Sequence, residues 1–173
     1  TIEPQYYNGG SMNMNINSLS QKYSVRKLDE NDVDIIYDMS CKNDIFYQYH
    51  PPFVTRKSIL DDMGALPPGK GYDDKFYVGF FENDSLVGLM DLILDYPEKE
   101  ISFIGLFMTD TRYQNRGVGS GIISDVILCL KSSGYKEIRL GVDKGNPQSY
   151  SFWTKNKFTP IREDTYILMG LRI

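Results

Sequence analysis

A stretch of seven residues, Gln114-Asn115-Arg116-Gly117-Val118-Gly119-Ser120, decides the fold that this sequence predicts. A strand-like apolar segment precedes it, and apolar residues then recur every four positions through residue 130, as on one face of a helix. The unpaired amides that open a helix, with the positive end of its dipole, favour anion binding. Gly117 and Gly119 would admit a diphosphate to the main chain because neither carries a Cβ, and Arg116 could add charge at the rim.

Three other interpretations of this stretch compete with the anion site. A dinucleotide-binding fingerprint requires G-x-G-x-x-G, but Ile122 stands where the third glycine should be. A P-loop requires Gly-Lys-Ser/Thr at the start of the helix, and none follows here. A glycine-rich turn used only for tight packing stays open. The pattern that remains is Q/R-x-x-G-x-G/A.

The segments on either side of this stretch alternate between strand and helix patterns. Residues 75–81, 86–94 and 101–109 form three strand-like runs separated by short turns, which predicts an antiparallel meander. Residues 136–142 return as a strand after the long helix, so that strand–helix–strand unit should be parallel.

The N-terminal half gives weaker signals. Residues 23–28 alternate as a half-buried strand does, and Asp29 is a plausible N-cap for a helix that runs to Ser40. Residues 41–53 are aromatic and irregular, and Thr55 could cap a second short helix. We expect one domain over residues 21–173, preceded by a leader over residues 1–20 that is not part of it.

The glycine-rich pattern resembles the diphosphate-binding signature of the GNAT superfamily of N-acetyltransferases, with Gln114, Gly117 and Gly119 at its fixed positions. Residues 104–109 look like the fourth strand of that family. Residues 146–158 resemble its N-x-x-A/S-x-x-[aromatic or aliphatic]-Y/W-x-x-x-G-F element at the correct distance. The resemblance covers about the last 150 residues of the chain. It implies an α/β (α+β) fold whose mixed central sheet has an antiparallel N-terminal part and one parallel pair splayed around the cofactor.

By that resemblance the cofactor is acetyl-CoA. Main-chain groups of Phe107 and Thr109 would pair with the pantetheine arm like an added strand, and the Phe107 N–H would donate to the thioester oxygen. Asn146 and Ser149 would contact the arm, although an N-cap and a small packing residue explain them equally simply. The implied cofactor-binding residues are Phe107, Met108, Thr109, Gln114, Asn115, Arg116, Gly117, Val118, Gly119, Ser120, Asn146, Ser149 and Trp153.

Asp91 is the candidate base. An amine must be neutral to attack a thioester, and many family members carry an acidic residue or His in the fourth strand, where this chain has Phe103 and Gly105. Asp91 would share a strand face with residues 87, 89, 93 and 95, and the hairpin places it opposite Ile104 within one residue. The alternative is a buried carboxylate that Arg or backbone donors satisfy.

The proton donor to the departing thiolate is harder to assign. The family's Tyr position is Trp153 here, and an indole is no acid at neutral pH. Tyr150, one turn earlier, or a water molecule is the substitute. His50, the only histidine, is interpreted as a loop residue because it precedes Pro51 and Pro52.

Composition excludes several functional classes. The net charge is −4 with no basic run, which disfavours nucleic acid as a partner. No apolar stretch approaches the length that crosses a bilayer, and Cys41 and Cys129 lack metal-ligand spacing. We therefore expect a cytoplasmic protein with reduced cysteines, no metal and no membrane partner.

These observations predict transfer of an acetyl group from acetyl-CoA to a primary amine of an unidentified acceptor, by direct attack in a ternary complex. A non-catalytic sensor domain that binds CoA or acyl-CoA is the main alternative, because Trp153, Phe103 and Gly105 depart from the family's acid and base. An unrelated nucleotide binder with the same turn is the third. A homodimer is compatible with the sequence.

Overall fold

A seven-stranded mixed sheet forms the centre of the computed structural model, which describes residues 14–173. The spatial order is β1-β2-β3-β4-β5-β7-β6, and only β4 and β5 run parallel. The predicted mixed sheet, with its antiparallel N-terminal part and one parallel pair, is confirmed. The strands are β1 Ser24–Lys27, β2 Lys75–Glu82, β3 Ser85–Ile93, β4 Ile101–Thr109, β5 Glu137–Val142, β6 Thr159–Glu163 and β7 Ile167–Arg172.

Five α-helices accompany the sheet in the described part of the chain: α1 Val33–Ser40, α2 Asp44–Tyr49, α3 Arg56–Gly64, α4 Val118–Ser132 and α5 Pro147–Lys155. Thr55 caps α3 as predicted, because its hydroxyl accepts from the Ser58 N–H at 3.0 Å and the Ser58 hydroxyl accepts from the Thr55 N–H. Asp29 instead caps a 3₁₀ turn, Glu30–Asp32, that leads into α1.

Two apolar clusters hold the helices against opposite faces of the sheet. On one face α4 buries the predicted stripe of Ile122, Val126 and Leu130, each at most 1% exposed, in one cluster with Phe80 and Met90. The second cluster joins α1 and α3 to the other face and includes Ile36, Ile59, Tyr77 and Leu89. The periodicity of α4 is thus explained by burial of one side.

The expectation that residues 41–53 are irregular is wrong, because they contain α2. This helix has six residues and none of them is buried, so it lacks the apolar periodicity that identifies a helix in sequence.

Residues 14–20, expected to belong to a leader, pack as part of the domain. Leu19 is fully buried in the α4-side cluster, and the Ser20 hydroxyl accepts from the Tyr23 N–H at 3.0 Å. The Gln21 N–H donates to the Asp125 carboxylate of α4 at 2.8 Å. The rest of the expected leader, residues 1–13, lies outside the described residues.

Candidate active site

The cleft opens where β4 and β5 separate. Their parallel pairing runs from Ile101 opposite Glu137 to Ile104 opposite Leu140 and then stops, although β4 continues to Thr109. On its other side β4 stays paired with β3 as far as Thr109. A strand that loses one partner halfway along its length leaves main-chain groups free for another extended molecule.

The main chain of Phe107 and Thr109 faces this cleft. The Asp110 N–H, directly after β4, donates to the Val87 carbonyl of β3 at 2.8 Å. Because successive residues of a strand direct their main-chain groups to opposite sides, those of Phe107 and Thr109 point away from β3. The Thr109 carbonyl accepts from the side chains of Asn43 and Gln114, so the main-chain groups left for pairing with an extended molecule are those of Phe107 and the Thr109 N–H.

The start of α4 carries uncapped amides at the end of the cleft. Gly117 is its N-cap with φ +76°, and no side chain hydrogen-bonds to the first-turn amides within the described residues. The Gly121 N–H is the first to find a helical partner, the Gly117 carbonyl at 2.9 Å. The preceding Asn115 is also left-handed, at φ +58°. The turn therefore presents several main-chain donors and a dipole to an anion.

Gln114 braces this turn through its side chain. Its Nε2 donates to the Asn43 Oδ1 at 2.7 Å and to the Thr109 carbonyl at 3.2 Å. Asn43, which is buried between α1 and α2, also donates to the Thr109 carbonyl, at 3.3 Å. The end of β4, the turn before α4 and the α1–α2 connection are therefore joined in one small network.

A cavity of about 490 Å³ lies in this cleft. Most of the predicted cofactor-binding residues line it, namely Phe107, Met108, Thr109, Gln114, Asn115, Gly117, Gly119, Ser120, Asn146, Ser149 and Trp153. Arg116 and Val118 are not among the lining residues. Asn43 and Phe46 also line the cavity, and the sequence did not single out Asn43.

Packing favours glycine at position 119. A Cβ at this position would lie 3.1 Å from the Phe152 ring of α5, closer than normal van der Waals contact. Phe152 and Trp153 form an aromatic cluster with Phe107, with ring centroids 4.9–6.0 Å apart. The packing role left open from the sequence is thus real at Gly119, while Gly117 has no atom within 4 Å of a Cβ and is explained by its positive φ alone.

Asn146 caps α5. Its Oδ1 accepts from the Ser149 N–H at 3.1 Å, and Pro147 occupies the first helical turn. Both Asn146 and Ser149 also line the cavity, so the cap and a contact with the cofactor are compatible. The contact itself stays a prediction.

Asp91 lies on the face of the sheet that carries Leu89 and Tyr77. The predicted partner Ile104 is wrong, because a β-bulge at Gly105 shifts the register and places Leu106 opposite Asp91. A second irregularity, between Phe80 and Phe81, removes residue 87 from this face.

The Asp91 carboxylate is paired with a lysine rather than with Arg or backbone donors. Its Oδ2 accepts from Lys75 Nζ at 2.7 Å, and the two side chains are 14% and 3% exposed. Burial raises the pKa of Asp91, while the hydrogen bond and charge of Lys75 act to lower it. Asp91 does not line the cavity, and its role in catalysis stays a prediction.

Tyr150 and His50 lie on different helices. Tyr150 of α5 is 39% exposed and does not line the cavity, so its role as proton donor also stays a prediction. His50 ends α2, with its Nδ1 3.0 Å from the Asp143 carboxylate just beyond β5. The histidine thus ties α2 to the strand on the other side of the cleft.

Lys75 is a further residue near the site that the sequence did not reveal. The register shift between Phe80 and Phe81 places Asp91 opposite Tyr77, so Lys75 is its diagonal neighbour on the same face. No group of three or more His, Cys, Asp or Glu residues suited to a metal ion occurs within residues 14–173, and no helix there is long and apolar enough to cross a bilayer.

Comparisons with known proteins agree with this geometry. The family model described as acetyltransferase (GNAT) family matches residues 39–158. Curated protein sequences give no match.

Solved structures share the fold at low sequence identity. An acetyltransferase from Thermus thermophilus is 17% identical with a TM-score of 0.76, over 88% of this chain and 97% of that one. PaiA N-acetyltransferase from Thermoplasma acidophilum, in complex with coenzyme A, is 17% identical with a TM-score of 0.65, over 87% and 98%. The ribosomal-protein-S18-alanine N-acetyltransferase from Escherichia coli is 15% identical with a TM-score of 0.63, over 87% and 93%.

The resemblance inferred from two short motifs is confirmed by these matches. The family model spans more than half of the chain and includes both motifs, so this chain belongs to the acetyltransferase (GNAT) family.

Proposed function

We propose that this chain transfers an acetyl group from acetyl-CoA to a primary amine of an acceptor yet to be identified, by direct attack in a ternary complex. The observation that carries the proposal is the uncapped start of α4 at the end of the cleft between β4 and β5. In this proposal the diphosphate binds to those amides and the pantetheine arm follows β4 into the cleft.

The Phe107 N–H would polarise the thioester carbonyl. Its main chain faces the cleft, and the ring of the same residue packs on Phe152 and Trp153, which fixes the strand. A main-chain donor aimed at developing negative charge contributes about 10²–10³ in rate in other acyl transfers. Acetyl-CoA supplies the activated acyl group.

Two proton transfers accompany the reaction. The acceptor ammonium must lose a proton before its nitrogen attacks, and Asp91 is the proposed base, directly or through water. The bond from nitrogen to the acyl carbon then forms as the bond from carbon to sulfur breaks, and the thiolate takes up a proton from Tyr150 or from water.

A cytoplasmic location is part of the proposal, and the free thiols Cys41 and Cys129 accord with a reducing compartment.

Binding and turnover experiments separate the candidate functions. Calorimetry should detect CoA and acetyl-CoA, with ATP and NAD unable to compete. Thiol release from acetyl-CoA should then depend on an amine from a panel of polyamines, amino acids, aminoglycosides and N-terminal peptides. Binding without turnover on the whole panel would favour the sensor domain, and competition by ATP or NAD would favour an unrelated nucleotide binder.

Two variants test the assigned proton carriers. Asp91→Asn should reduce turnover strongly and leave the Kd for CoA unchanged, because Asp91 is outside the cavity wall. Tyr150→Phe should reduce kcat by about 10²–10⁴ if the phenol is the acid. Wild-type turnover in Tyr150→Phe would assign that proton to water.

A further inference from the structure

Lys75 is a buried lysine that pairs with Asp91, the proposed base. Lys75 opens β2 and is 3% exposed, although lysine is among the residues least often fully buried. Its Nζ donates to Asp91 Oδ2 at 2.7 Å and lies 5.6 Å from the centre of the Tyr77 ring. An ammonium withdrawn from water in this way requires a compensating charge, and Asp91 supplies it.

The other oxygen of Asp91 has no hydrogen-bond partner within the described residues. Oδ1 is buried, and an acceptor left without a donor costs free energy that a purely structural ion pair would avoid. Such unsatisfied groups are uncommon in native proteins and each calls for an explanation. Within the described residues Lys75 is therefore the one hydrogen-bond donor to this carboxylate.

Gly105 connects this carboxylate to the cleft. It is the bulged residue of β4, it is exposed, and it directly follows the last β4 residue that pairs with β5. A Cβ at Gly105 would lie 3.2 Å from Asp91 Oδ2. A side chain at position 105 would thus crowd Asp91, at the point where β4 and β5 separate.

We propose that Lys75 is a positioning residue that holds Asp91 as a carboxylate against Gly105, ready to receive the proton of a cationic amine acceptor. The inference rests on the proposed function. The proton passes from the acceptor ammonium to Asp91, which leaves a neutral amine and a carboxylic acid that later loses its proton to solvent. Lys75 keeps its own proton throughout.

Electrostatics at this position explain why a lysine is needed. Burial raises the pKa of Asp91, and the negative charge of Asp62 from α3 raises it further. The hydrogen bond and the charge of Lys75 both oppose this rise. Tyr77 stays neutral because burial raises its pKa far above the ordinary value. The charged groups that act on Asp62 are Lys75, His50 and Asp61. Lys75 is therefore the one cation among the groups that act on Asp91.

The test measures the ionisation of Asp91 directly and through turnover. Carbon-13 NMR of labelled Asp carboxyl groups, assigned with Asp91→Asn, gives the pKa of Asp91 without any substrate. In Lys75→Met that pKa should rise by about 1–3, the effect of removing an adjacent opposite charge. The acid limb of the pH profile of kcat/KM should move up by the same amount, because less carboxylate is present at a given pH. Lys75→Arg should return both values towards wild type, and the Kd for CoA should not change.

Controls separate this role from a loss of structure. Lys70→Met removes a comparable pair, in which Lys70 Nζ lies 3.3 Å from Asp74 Oδ2 away from β4, and should move neither value. If Lys75→Met fails to fold, Lys75→Gln decides the question, because it keeps a donor and removes the charge.

The outcomes are distinct. If a folded Lys75 variant keeps the wild-type pKa of Asp91 and the wild-type acid limb of the kcat/KM profile, the role of Lys75 is refuted. Acetyl transfer by the wild type is unaffected by that result. Failure of the wild type to acetylate any amine would remove the proposed function and the proton transfer with it, and the NMR titration would still report whether Lys75 controls the ionisation of Asp91.

Discussion

A carboxylate introduced at Ser120 would test the anion site, because it should change stability and cofactor affinity in opposite directions. Ser120 is the third residue of α4 and lines the cavity, and its hydroxyl accepts from Asn156 Nδ2 at 3.1 Å, a bond that an aspartate can keep. A negative side chain in the first turn of a helix stabilises it by about 0.3–1 kcal/mol. For a chain of this length the Tm of Ser120→Asp without ligand should therefore rise by about 1–4 °C.

The same carboxylate should repel the diphosphate. Two like unit charges about 5 Å apart repel each other by about 0.8 kcal/mol in water and by about 3 kcal/mol at an effective dielectric constant of 20. The cavity is partly open and lies between these limits, so the Kd for CoA should rise by about 4- to 150-fold. Raising the salt from about 0.1 M to about 1 M should narrow the difference, since the Debye length falls from about 10 Å to about 3 Å.

Calorimetry with CoA and thermal melts without ligand measure the two effects, and Ser120→Asn provides a control of the same shape without the charge. A Kd equal to that of Ser120→Asn, in a Ser120→Asp protein whose Tm has risen, would show that the diphosphate binds somewhere other than the start of α4.

Three further predictions concern stability. Gly117→Ala should lower the free energy of unfolding by about 1–2 kcal/mol because φ is +76°, whereas Gly121→Ala inside α4 should raise it by about 0.5–1 kcal/mol. Neither added Cβ would meet an atom within 4 Å, so urea unfolding of the two variants measures the backbone effect alone. Equal changes in the two variants would contradict this prediction. Asn146→Ala should lose about 0.5–2 kcal/mol with the α5 cap, which a Tm within error of wild type would disprove. The hydrogen bond from Arg26 holds the folded-state pKa of Asp32 below its ordinary value. The stabilisation from this pair is therefore complete above the ordinary pKa and is lost as pH falls through the lowered folded-state pKa. Arg26→Met should flatten the acid side of a plot of Tm against pH, and an unchanged slope would count against the pair.

The elements that sequence predicted best are those with strong periodicity or short turns. The meander from β2 to β4 and the buried stripe of α4 follow from residue spacing, because each strand alternates or is bounded by turn residues and α4 repeats every four positions. The sequence did not reveal α2 because the helix has six residues and none of them is fully buried. It did not reveal the bulge at Gly105 because strand pairing across the whole sheet decides it.

The candidate site also contains parts that the sequence predicts and parts that it does not. The turn that opens α4 was predictable because its glycines and the start of the helix lie within seven consecutive residues. The contact of Asn43 with Gln114 joins residues 71 positions apart, and no local pattern signals it. The pairing of Lys75 with Asp91 depends on the register shift between Phe80 and Phe81, which the length of the turn does not predict, and on the burial of both side chains.

Under the proposed function, the Asn43–Gln114–Thr109 network would link substrate choice thermodynamically to coenzyme affinity. The Asn43 side chain contacts both the last carbonyl of β4 and Gln114, which precedes the start of α4. A redesign that moves the α1–α2 connection to admit a bulkier amine would therefore alter the Kd for CoA as well. Engineering of a new specificity should leave Asn43 in place and begin at Phe46, which lines the same cavity.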